Sequence, residues 1–166
     1  MVVATKPLLS HVAADLMSPA TVTIPQDVSL QCAARMLARA NVSGAPVVDS
    51  HGRCVGVLTA HDFLCWAEKG QGDNHSHQAR LERYCSPWQI TAVEELPEDA
   101  VCNHMTADPV SVPPGETIGV MARMMVDAHI HRLIVLDRAD RPVGIVSSTD
   151  VLAAVARAAQ GDGDHS

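Results

Sequence analysis

Residues 17–64 can be laid over residues 105–152 at a constant shift of 88 without a gap. Fourteen of the 48 pairs are identical, where about three would arise by chance, and this is the mark of an internal repeat. The identities include Met17/Met105, Pro25/Pro113, Ala34-Arg35-Met36/Ala122-Arg123-Met124, Asp49/Asp137, Val55-Gly56/Val143-Gly144 and Asp62/Asp150. A chain built this way must fold into two like units, so whatever one copy forms, the other forms too.

Each copy predicts the same order of elements. A short extended piece (Val22-Thr23-Ile24, Val110-Ser111-Val112) ends at a proline, which cannot continue a ladder. An amphipathic helix follows. Leu30, Ala33, Ala34, Leu37 and Ala40 recur at helical spacing in copy one, and Ile118, Met121, Ala122, Met125 and Ala128 in copy two. Ser29 and Thr117 stand at the N-cap positions. The strands Ala45–Val48 and Leu133–Leu136 are apolar throughout, which predicts burial on both faces. Tight turns at Asp49–Gly52 and Asp137–Asp140 lead to second strands, Cys54–Leu58 and Pro142–Val146, and closing helices start near Asp62 and Asp150. The order is β-α-β-β-α, twice, an α/β (α+β) fold. The expected division is a first repeat over 12–67, an inserted linker with a helix over 68–98, a second repeat over 99–157, and flexible termini at 1–11 and 158–166. The polar stretch Gly70–Gln78 is expected to be a mobile loop.

Composition narrows the function. Nineteen acidic against twelve basic residues give a net charge of -7, which opposes non-specific nucleic-acid binding. Phe, Trp and Tyr total 2%, too few for a base-stacking platform. No apolar run approaches the roughly 20 residues of a membrane span, and residues 1–10 lack a signal-peptide layout. No nucleic-acid or membrane partner is expected, and a cytoplasmic location is. Five cysteines without a Cys-x-x-Cys pair argue against a disulfide scaffold or a zinc ribbon. His75-x-His77, His129-x-His131 and the neighbours His51 and Cys54 lack further ligands or an orienting partner at recognisable spacing. No metal site, no catalytic residue and no required cofactor is expected. Without a Gly-x-x-x-x-Gly-Lys motif, ATP hydrolysis is not expected either.

Two constellations remain. Thr59-Ala60-His61-Asp62 and Ser147-Ser148-Thr149-Asp150 carry a hydroxyl and, three residues on, a carboxylate at a helix start. That spacing alone describes a capping box. It also suits a ligand, since a helix N-terminus offers N–H groups to a phosphate and a carboxylate can accept both hydroxyls of a ribose. His131-Arg132 is the second, standing where copy one has Ser43-Gly44. A solvated ion pair is one account of it. A phosphate contact is the other, because the planar guanidinium donates two parallel hydrogen bonds.

The Met-Ser/Thr start, Gly44–Asp49, the Val-Gly-Val/Ile strand and the closing Thr/Ser-x-x-Asp, repeated at one shift, resemble the CBS (cystathionine beta-synthase) domain. The resemblance covers about residues 12–67 and 99–157. It implies two repeats packed sheet to sheet with pseudo-twofold symmetry (a Bateman module), here as a stand-alone pair, with clefts that hold adenine nucleotides: AMP first, ADP or ATP also. It assigns Asp62 and Asp150 to ribose, and Thr59, Ser147, His131 and Arg132 to phosphate. The run Ile130–Leu133 resembles the phosphate-contacting segment of the gamma subunit of AMP-activated kinase. Val22, Val110, Ala45, Val57 and Ile145 could line adenine pockets or serve simply as core. The expected role is regulatory, acting on an unidentified partner protein. The alternative is a ligand-independent module that dimerises or docks a partner. Helices rich in Met36, Leu37, Met124, Met125 and Val155 predict a homodimer.

Overall fold

A computed structural model of the chain describes residues 6–20, 22–69, 93 and 96–161. The insertion expected over 68–98 therefore lies almost wholly outside the described residues, with its polar loop, Tyr84, Cys85 and Trp88. Among the described residues, no helix is long and apolar enough to cross a membrane.

The elements follow the expected order. The first half contains helix α1 (Ala13–Leu16), strands β1 (Ser18–Pro19) and β2 (Ile24–Pro25), helix α2 (Leu30–Ala40), strands β3 (Gly44–Val48) and β4 (Cys54–Thr59) and helix α3 (Ala60–Lys69). The second contains β5 (Thr106–Ala107), β6 (Ser111–Val112), α4 (Ile118–Asp127), β7 (Arg132–Leu136), β8 (Pro142–Ser147) and α5 (Ser148–Gly161). Two four-stranded mixed sheets result, in the orders β2-β3-β4-β5 and β1-β8-β7-β6. In each, a tight antiparallel hairpin (β3/β4, β7/β8) is flanked by a parallel strand and an antiparallel one.

The hairpins form where the sequence predicts them. At their centres Ala45, Pro46 and Val47, and Leu133, Ile134 and Val135, are all buried. One carboxylate organises each turn: Asp49 Oδ1 accepts the amides of His51 and Arg53, and Asp137 Oδ1 those of Ala139 and Arg141. These backbone donors, led by Arg53 and Arg141, hold both carboxyls below the usual aspartate range.

The sheets are shared in a way the order of the repeats does not disclose. Contacts divide the chain into one unit spanning Val22–Pro109 and another joining residues up to Thr21 to everything from Val110 onward. β1, which leads the first repeat, completes the sheet of the second, with Ser18 opposite Ile145. β5, which leads the second repeat, completes the sheet of the first, with Thr106 opposite Val57. The helix starts follow suit. The Ile118 amide donates to the His11 carbonyl at 2.9 Å, and the Leu30 amide to the Asp99 carbonyl at 2.9 Å. These are equivalent bonds at the shift of 88.

Two of the repeated identities acquire a meaning from this exchange. Gly56 lies under Met105 and Gly144 under Met17. A Cβ on Gly56 would come 2.5 Å from the Met105 sulfur and 2.8 Å from the Thr106 carbonyl oxygen. Each glycine thus admits the methionine that leads the strand beside it.

Three expectations need correction. Ser29 caps α2 with its hydroxyl, accepting the Cys32 amide at 3.2 Å, but the Thr117 hydroxyl makes no cap bond to α4. There the Glu116 carboxylate accepts the Thr117 amide, and the His11 carbonyl that of Ile118. The ends are also more ordered than expected: Leu8–Ser10 form a 3-10 turn, and α5 continues to Gly161. Finally, Leu37 and Met125, counted among the residues from which a homodimer is expected, are buried at 3% and 6% exposure. They lie on the stripe that packs on their own sheets.

Candidate functional site

β4 ends at Thr59 and β8 at Ser147, and in both the next residue opens a helix. The turn is tight because the first helical amide is held from the neighbouring strand. Ala60 N–H donates to the Ser43 carbonyl and Ser148 N–H to the His131 carbonyl, both at 2.9 Å. The aspartate three residues after the hydroxyl then folds back over the turn. Asp62 Oδ2 accepts the Thr59 amide and hydroxyl, each at 2.7 Å. Asp150 Oδ2 accepts the Ser147 amide at 2.7 Å and its hydroxyl at 2.6 Å, while the Ser147 oxygen accepts the Asp150 amide at 3.2 Å. The reciprocal capping box is therefore complete at Ser147 and Asp150, while at Thr59 and Asp62 its carboxylate half is present.

The two sites differ beyond it. The Thr106 hydroxyl donates to Asp62 Oδ1 at 3.0 Å, and Asp62 is buried at 9% exposure. Asp150 is half-buried. Ser18 occupies the place on β1 that Thr106 holds on β5, opposite Ile145 as Thr106 is opposite Val57. It makes no such bond, and among the described residues nothing donates to Asp150 Oδ1. No reading of the sequence singled out Thr106. Its traces there are the Met-Ser/Thr start and Thr106 standing against Ser18 in the repeat alignment.

The basic pair falls beside the more open carboxylate. Arg132 opens β7, is exposed, and pairs in register with Ser147. Directly opposite residues share a face of a sheet, so the guanidinium stem and the Ser147 hydroxyl leave it together. His131 precedes it and is also exposed. In the other unit the corresponding residue is Gly44, opposite Thr59. A Cβ there would lie 2.9 Å from the Leu58 carbonyl oxygen and 3.1 Å from the Thr59 methyl. The exchange of Thr59 for Ser147 removes that methyl where arginine stands.

The apolar positions scatter. Val110 (38% exposed) and half-buried Ile145 belong to the unit of Asp150. Half-buried Val22 and Val57 belong to that of Asp62, whereas Ala45, at 2% exposure, is part of its core. His129 adopts a left-handed backbone (φ 52°) just past α4, as Asn41 (φ 55°) does after α2, so it acts as a helix terminator. No group of three or more metal-ligating side chains occurs among the described residues. Burial pushes the Cys54 thiol up, the opposite of nucleophilic activation.

The CBS domain family model matches residues 12–68 and 98–157. The chain belongs to the CBS domain family. The CBS region of a CBS domain containing membrane protein from Sphaerobacter thermophilus has the same fold, with a TM-score of 0.65, 28% identity and 88% of each chain covered. The CBSX2 protein of Arabidopsis thaliana, solved in complex with AMP, gives a TM-score of 0.64 at 22% identity, over 89% of this chain and 97% of that one. Among curated proteins, the L-aspartate semialdehyde sulfurtransferase of Methanocaldococcus jannaschii is 28% identical over 137 residues, which are 82% of this chain and 22% of that protein. The chain spans only 20–24% of the length of the first curated relatives it matches.

Proposed function

We propose that this CBS pair is a regulatory sensor of adenine nucleotides, without catalytic activity of its own, and that AMP is its principal ligand. One observation carries the reading: within a single unit, a half-buried carboxylate, Asp150, whose Oδ1 accepts no hydrogen bond from the described residues, stands at a helix start beside a β-strand arginine, Arg132. A nucleoside phosphate is the ligand that needs both groups. Its cis-diol is met by Asp150, its phosphate by Arg132, His131 and Ser147, and its base by apolar surface at Ile145 and Val110. The Asp62 and Thr59 turn, with Val22 and Val57, is a second and weaker candidate. Ala45 serves as core. The AMP complex of the Arabidopsis CBSX2 protein supports this choice of ligand. In a chain of net charge -7, a local guanidinium is what makes an anion site feasible.

The output would be linkage: the nucleotide favours the arrangement that it binds more tightly, and a partner protein responds to that arrangement. Thermal unfolding with AMP, ADP, ATP and S-adenosylmethionine tests the ligand. AMP at a hundred times its dissociation constant should add roughly 2.7 kcal/mol of stability. No shift with any adenosine compound would leave the docking-module reading in its place.

The same proposal includes a homodimer. Val126 on α4 and Leu152 on α5 are 68% and 66% exposed, and Val120 and Val155 are each 45% exposed. Branched apolar side chains on both helices need a partner surface. Light scattering at tens of micromolar is expected to give the mass of two chains, and a 17.6 kDa species would refute it.

A further inference from the structure

The two carboxylates have different capacities for a diol, and the difference can be counted. An ionised carboxylate offers about four acceptor positions, two on each oxygen. Asp62 already accepts three hydrogen bonds, from the Thr59 amide, the Thr59 hydroxyl and the Thr106 hydroxyl. Among the described residues, Asp150 accepts two, both on Oδ2. A ribose donating both its hydroxyls needs two open positions. Asp150 has them together on Oδ1. Asp62 has one, and is nine-tenths buried.

We propose that Thr106 is a latch that withholds Asp62 from ligand, so that the chain takes one nucleotide, at Asp150. The inference rests on the nucleotide reading above and adds to it which site is silent and which residue silences it. The latch is positioned by β5, which holds Thr106 opposite Val57, one turn of chain from the carboxylate that β4 and α3 present. A threonine suits the task because its β-branch restricts χ1 and keeps the hydroxyl aimed. Serine at the matching position, Ser18, has no such restriction and leaves Asp150 open. Gly44 reinforces the asymmetry, since the silent side has no arginine and no room for a Cβ.

Calorimetric titration with AMP reads the stoichiometry directly. The parent should bind one equivalent, lost in Asp150→Ala. Thr106→Val, isosteric but without the hydroxyl, should gain a second equivalent. Thr106→Ala should also gain the second equivalent, and it replaces the valine variant if that one fails to fold. A parent that binds two equivalents of similar affinity would overturn the latch, as would a folded Thr106→Val or Thr106→Ala that still binds one. So would a single parent equivalent lost in Asp62→Ala and kept in Asp150→Ala, although the nucleotide reading would survive. A parent that binds no adenine nucleotide removes both.

Discussion

Arg132→Ala is expected to weaken AMP binding more than tenfold while costing the fold about 0.5 kcal/mol or less. The affinity loss follows from removing one partner of a charge-assisted hydrogen bond, on the order of 1.5–3 kcal/mol, where 1.4 kcal/mol is a factor of ten. The small stability cost follows from exposure: Arg132 opens β7 outside the buried cluster of its unit, and a polar interaction at so exposed a site adds little to the fold. Asp150→Ala should weaken binding at least as much, with a different signature. It also strips the Ser147 amide and hydroxyl of their acceptor, a loss of about 1 kcal/mol typical of a helix cap. Titration calorimetry beside denaturant unfolding separates the two contributions. An Arg132→Ala protein that binds every adenine nucleotide as tightly as the parent would show that the phosphate is held elsewhere.

The second large effect is structural. Leu16 lies near the start of the first repeat yet is 8% exposed in the core that contains Met121, Leu133 and Val146. Leu16→Ala should lower the unfolding free energy by about 3 kcal/mol and the midpoint by about 10 °C. The location of the damage is the sharper expectation. Amide exchange should accelerate in β7, β8 and α4, more than 90 residues downstream of the mutation, before it does in β3 and β4. Loss of protection confined to the first repeat would contradict the exchange of leading segments.

That exchange marks the limit of what the sequence discloses. The duplication, the order of elements, the hairpins with their aspartate turns and the helix that begins at each Thr/Ser-x-x-Asp are all legible, because each depends on residues close together in the chain. A self-alignment establishes that Met17 is equivalent to Met105 and Gly56 to Gly144. It does not say that each methionine lies over the other repeat's glycine, since equivalence and contact are different relations. Thr117 illustrates the same limit. Its type suits an N-cap, but its hydroxyl makes no cap bond, and the Ile118 amide beside it is met by the His11 carbonyl, more than 100 positions earlier. The two turns at Asp62 and Asp150 are legible as motifs, and His131-Arg132 against Ser43-Gly44 already favours the second over the first. The Thr106 hydroxyl that bonds Asp62 is not legible, because it lies 44 residues away in the chain.

The leading strands also dictate an order of events during synthesis. Neither repeat can complete its sheet from its own stretch of chain. The first must wait for Thr106 and Ala107 to emerge, after the whole insertion, and the second must reclaim Ser18 and Pro19 from the opposite end. The contiguous unit Val22–Pro109 thus closes only when β5 emerges, and the other unit only when β8 pairs back to β1 across more than 120 residues. Contacts of such long sequence separation are slow to form because the loops must be closed before the pairing rewards it. Until then β4 and β8 each expose an unpaired edge, a ready template for strands of other chains. The short two-residue closers and the glycines beneath them thus matter twice, first in completing each sheet and then in ending the interval during which a nascent chain can pair with its neighbours.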